Sequence, residues 1–192
     1  LGRFEQIRRF HSFEPGTMDH AMYGADILFG PEQMIRRFVK DSSFDQLICV
    51  AIAKHSDFKL EGIEDKRTLL HARLIRDADK LDNCRVKLEE SMETLLDMDE
   101  KTVGASPISP KVWESCKAEE SVLSADRKTG MDYWMSYLAL YFDINFLETY
   151  QIIKEQDYIR RIAERVPYSR EDTKEKVAYT VKKLEEKMNI QP

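Results

Sequence analysis

Glycine and proline are scarce in this chain, 7 and 6 among 192 residues. Between them run long stretches whose apolar residues recur at three- and four-residue spacing, the pattern of helix after helix rather than of strands. The expected class is therefore all-α, a bundle of about seven to nine helices in a single domain spanning 1–192. The first expected helix is Gly2 to Phe10, followed by a loop, His11-Ser12-Phe13-Glu14-Pro15-Gly16, with a Pro-Gly turn. A second runs from about Met18 to Phe29 and stops at Gly30-Pro31, with a short, weaker one over Glu32 to Val39. Ser43-Phe44-Asp45-Gln46 has capping-box spacing and opens a helix to about His55. The longest helical pattern covers 64 to about 96, with a break expected near Asn83. Residues 97–110 hold Gly104, Pro107 and Pro110 among Ser, Thr and Asp and are expected to form a loop or lid. Closing helices over 111–192 follow, near 111–120, 129–149 and 151–165, then from Thr173 to about Met188 with Val177 and Leu184 docked inward.

Composition narrows the function classes. With 42% hydrophobic and 34% charged residues, the chain has a globular profile. A chain this long buries roughly 70% of its unfolded surface, so it needs no metal staple and any metal would serve chemistry. Thirty Lys and Arg against 35 Asp and Glu give a net charge of -5, without the basic excess that drives nucleic-acid binding. No run of 18 apolar residues offers a membrane span, and no leader pattern points to secretion. Cys49, Cys84 and Cys116 are odd in number and far apart, which suits reduced thiols and a cytoplasmic location.

The four histidines, at 11, 20, 55 and 71, are informative because they are few. His11 lies in the first loop, His20 follows Asp19 at a helix start, and His55 ends the capped helix, where an imidazole can simply meet the last carbonyls. Leu74-Ile75-Arg76-Asp77-Ala78-Asp79-Lys80-Leu81-Asp82-Asn83 places acids within an apolar stripe. On a helical wheel Leu70, Leu74, Ile75, Ala78, Leu81 and Val86 share one arc. Asp79 sits at its edge, and His71 and Asp82 fall inside it, where a carboxylate must be paired or metal-bound. An ion pair with Arg73, Arg76 or Arg85 and a divalent-metal ligand are both compatible with the wheel, which does not choose between Asp79 and Asp82. Tyr133, Trp134, Tyr137, Tyr141 and Phe142 fall at core spacing.

Four segments in order, Leu1-Gly2-Arg3-Phe4-Glu5-Gln6, Asp19-His20-Ala21 with Gly24-Ala25-Asp26-Ile27-Leu28, Ala51-Ile52-Ala53-Lys54-His55, and Asp77-Ala78-Asp79-Lys80-Leu81-Asp82-Asn83, resemble the HD-domain metal-dependent phosphohydrolases. The likeness covers residues 1 to about 85 and extends loosely to Tyr141-Phe142-Asp143-Ile144-Asn145-Phe146. The resemblance implies an HD-like helical bundle. It implies that His20 and His55 are metal-ligating histidines and that Asp79 is the distant acidic ligand. It also places Arg3, Lys80, Asn83 and His11 near substrate, Lys80 assisting catalysis. The family's His-Asp pair would fall immediately before Leu1 and its first ligand histidine further upstream; since the sequence starts without Met, an upstream segment carrying them is expected.

The function so implied is hydrolysis of a phosphomonoester or phosphodiester of a small molecule, a nucleotide foremost, with a divalent ion from among Mn, Fe, Co, Ni, Zn or Mg as cofactor. Mixed imidazole and carboxylate ligation favours the transition metals. The alternative is a catalytically silent HD-like module that binds a nucleotide or a partner protein.

Overall fold

The computed structural model describes residues 1–11 and 16–190, so the expected loop residues Ser12–Pro15 lie outside it. Among the described residues there are eleven α-helices and no strand, and no helix is long and apolar enough to cross a membrane. The chain divides into two compact units, Leu1–Arg76 and Asp77–Pro192.

In the first unit, α1 (Gly2–Phe10) and α3 (Asp45–Ala53) both pack on α2 (His20–Phe29). Its buried apolar residues are few and mostly small: Ala21, Ala25, Leu28, Ile35, Ala51 and Ala72. Such side chains let helix axes approach closely. Asp19 caps α2 by accepting the Ala21 and Met22 amides, both at 3.0 Å. The weak helix expected over Glu32 to Val39 is a 3-10 turn, Met34–Arg37. The capping box expected at Ser43 does not form. Ser42–Phe44 makes a 3-10 turn capped by Asp41, and α3 starts behind it with Phe44 in the cap position. An Asx residue two positions earlier thus takes the role assigned to Ser43.

The second unit is built around α8 (Gly130–Ala139), whose Met131, Trp134, Met135, Leu138 and Ala139 are fully buried. Packed on it are α6 (Glu100–Ala105), α7 (Pro110–Lys117), α10 (Tyr158–Glu164) and α11 (Glu171–Ile190), with α9 (Leu147–Glu155) against α10 and α11. Val177 and Leu184 are docked inward as expected, and Trp134, Tyr141 and Phe142 lie in the core while Tyr133 and Tyr137 are half-buried.

The helix count exceeds the expected seven to nine for identifiable reasons. Residues 97–110 are not simply a loop, because α6 lies within them, capped by Asp99 accepting the Thr102 amide at 2.7 Å. Gly104 is there for contact rather than for a turn: a Cβ at this position would stand 2.3 Å from the Pro167 carbonyl oxygen. The 64–96 pattern does not break near Asn83, whose side-chain Nδ2 donates back to the Asp79 carbonyl within a continuous α4 (Lys66–Glu89). It breaks beyond Glu89, where Ser91 caps a separate α5 (Met92–Leu96). The 129–149 stretch ends its first helix at Ala139 and continues as a 3-10 turn, Leu140–Phe142.

The wheel for α4 also turns out rotated. Leu70 and Leu74 are 52% and 54% exposed, and Ala78, Asp79 and Asp82 are exposed as well. Asp82 takes the ion-pair option, with Arg85 at 3.0 Å on the surface. The buried side carries Thr68, Ala72, Arg76, Asp77, Lys80, Cys84 and Lys87. Counting leucines misplaces this face because the charged residues on the other side have partners distant in sequence, which remove the penalty of burying them.

Asp132 is the knot of the second unit. Fully buried, it accepts the Ser109 amide and hydroxyl at 2.7 and 2.6 Å and the Lys128 and Thr129 amides at 2.9 and 3.1 Å. The reciprocal bond from its own amide to Thr129 Oγ1 completes a capping box for α8. Asp132→Ala strands these donors and is expected to cost about 3 kcal/mol or more, read as a drop in the urea midpoint of the second unit's unfolding.

Candidate functional site

His20 is the first residue of α2, and His55 lies in the turn just after α3. The His55 Nδ1–H donates to the Ile52 carbonyl at 2.7 Å, the helix-end contact anticipated for this residue. A carbonyl can only accept, so Nδ1 carries a proton, the tautomer whose lone pair lies at the outward-facing Nε2. The turn itself is held by Arg76, whose guanidinium is buried and donates to the carbonyls of His55 (3.2 Å), Asp57 and Phe58 (3.4 Å).

The two imidazoles meet edge to face, with Nε2 to Nε2 at 3.2 Å. Since His55 offers a lone pair there, the metal-free contact requires His20 to donate from Nε2. Burial, reinforced by the charge of Arg3 and the nearness of His55, pushes the His20 pKa down to about 4. The His20 ring is consequently neutral at pH 7.

Close approach of α1 puts Arg3 beside them. A Cβ on Gly2 would stand 1.8 Å from the His20 carbonyl oxygen, so only glycine lets α1 reach this point of α2. Arg3 donates to Gln6 Oε1 at 2.9 Å, and the fully buried Gln6 donates in turn to Thr17 Oγ1 at 2.9 Å. A cleft of about 240 Å³ results, lined by Gly2, Arg3, His20, Gly24, Ile52 and His55 among others. Gln6 went unremarked in the sequence; its signal was a polar residue one helical turn after Gly2, on the face that α1 buries.

This pair suits a divalent ion in its donor chemistry. Two imidazole nitrogens bound to one ion at about 2.0–2.1 Å lie about 3.0–3.4 Å apart, a range that includes the observed separation. Among the described residues no group of three or more His, Cys, Asp or Glu side chains is arranged to hold a metal.

His11 is exposed in a left-handed conformation (φ 50°), ending α1 with its amide on the Ile7 carbonyl. In the second unit Asp79 is exposed, and Asn83 Nδ2 donates to its carbonyl and side chain at 3.0 and 3.3 Å. Lys80 is buried, its ammonium on the Asp143 carboxylate at 2.7 Å and on the Asp143 carbonyl. Asp77, one of the acids within the 74–83 segment, is 1% exposed. It accepts the amides of Asn145 and Phe146 at 3.0 Å and the Asn145 side chain at 2.7 Å. The signal for this cap was Asp143 and Asn145, polar residues just ahead of α9. Comparison with protein-family models, curated proteins and solved structures finds no match.

Two outcomes are expected. With a folded-state pKa near 4 against an unfolded value near 6.5, His20 binds fewer protons in the native chain, so its contribution is intact above about pH 6.5 and is lost as pH falls toward 4. Urea midpoints of the metal-free first unit should fall across that window by on the order of 1 kcal/mol more than in His20→Gln, solvent screening of this half-buried group included. Gly2→Ala should force α1 off α2 and cost about 1–3 kcal/mol in the same assay.

Proposed function

We propose that this chain acts as an HD-type metal-dependent phosphohydrolase on a phosphomonoester or phosphodiester of a small molecule, with a nucleotide the first candidate. The observation that carries the reading is the His20–His55 pair, two imidazoles with their Nε2 atoms 3.2 Å apart in a cleft that also contains Arg3. The residues that would hold the ion are His20 and His55, with Asp79 as the acid that the family resemblance assigns. A divalent ion lowers the pKa of water and neutralises charge on phosphoryl oxygens.

The protein's own groups have separate tasks. The Ile52 carbonyl fixes the His55 tautomer and keeps its Nε2 lone pair outward. The Arg3 guanidinium, steadied by Gln6, receives phosphoryl oxygens and stabilises their developing charge. The apolar wall of Leu28 and Ile52 limits water around the anion.

The test is Mn titration of the protein together with phosphate release from a panel of phosphomonoesters, phosphodiesters and nucleotides. Release should require the metal and fall at least 100-fold in His55→Ala and in Asp79→Ala. Metal-independent turnover, or variants as active as the parent, would sink the hydrolase reading. Tight Mn or nucleotide binding without turnover would select the silent binding module.

A further inference from the structure

Why α4 buries Asp77 and Lys80, one turn apart, is not answered by the hydrolase reading. The two lie on one side of the helix, about 60° apart around the axis and about 4.5 Å apart along it. Both reach the same short segment, from opposite charge states. Asp77 accepts the free amides of Asn145 and Phe146, which precede α9, and so supplies a cap from 68 residues away. Lys80 grips Asp143, two residues earlier, through both its carboxylate and its carbonyl.

Two attachments of this kind fix a helix in rotation and in axial register together. A slip of one residue would turn α4 by about 100° and leave a buried carboxylate and a buried ammonium without their partners. Asp79 lies about 200° from Asp77 and about 100° from Lys80, which sends it to the exposed side with Asn83 beside it. We propose that Asp77 and Lys80, clasping Asp143–Phe146, are positioning residues that set the direction in which Asp79 is presented. Lys80 thereby acts on the protein rather than on substrate. The inference rests on the assignment of Asp79 as a metal ligand.

The full chain is compared with Asp77→Asn, Lys80→Met and a core truncation, Val112→Ala, that loosens the same unit without touching the clasp. Mn affinity is measured by titration, the Asn83 side-chain amide signals are followed by NMR without metal, and urea midpoints report the stability lost by each variant. The clasp variants should bind Mn at least tenfold more weakly and shift the Asn83 signals, whereas Val112→Ala keeps both at parental values. Clasp variants with parental Mn affinity and unmoved Asn83 signals would overturn the proposal, as would equal losses in Val112→Ala. If Asp77→Asn does not fold, Asp143→Asn, which removes only the charge opposite Lys80, takes its place with the same expectations. A parent that binds no Mn would count against the metal reading, and the Asn83 signals then decide the clasp by themselves.

Discussion

A helix that turns its charges inward needs a partner for every one of them, and α4 meets that condition. Arg76 donates to the carbonyls of the His55 turn in the first unit, while Asp77 and Lys80 hold Asp143–Phe146 in the second. A buried carboxylate, ammonium or guanidinium left alone costs several kcal/mol, more than the burial of one leucine returns. These bonds therefore decide which side of α4 is inside, and Leu70 and Leu74 are left facing out. The position of His55 and the direction of Asp79 both follow from that choice.

Much of the fold was legible because its signals are local. The rarity of glycine and proline gave the all-helical class, and the helices from Gly2, from the Asp19 cap and toward the C-terminus stand close to where periodicity put them. The misplacements involve contacts from afar. Gly104 looked like a loop residue and is a close-packing residue, since the group requiring its missing side chain is the carbonyl of Pro167. Ser43 had the right spacing for a cap, but Asp41, two residues before it, competes for the Ser43 amide and wins.

The candidate site divides along the same line. His20 and His55 could be named from sequence because histidines are few and each sits at a helix end, but their 3.2 Å meeting depends on α2 and α3 packing together. Arg76, Gln6 and Asp77 carry no comparable mark. Their partners are 21, 11 and 68 residues away, and nothing in the local sequence announces that a polar side chain will be satisfied at that range.

Electrostatics adds a condition to the proposed chemistry. The burial and the Arg3 charge that keep His20 neutral spare a metal the competition of a second ring proton, and a shift of the remaining one from Nε2 to Nδ1 turns the lone pair toward the ion. The same guanidinium repels any other cation, and imidazoles bring no negative charge to oppose it. A divalent ion in this cleft therefore needs an anion with it. An acidic ligand supplies one charge, and the phosphoryl group of a substrate supplies more while also engaging Arg3. In that arrangement metal and phosphate strengthen each other's binding, because each removes the repulsion that the other would meet alone.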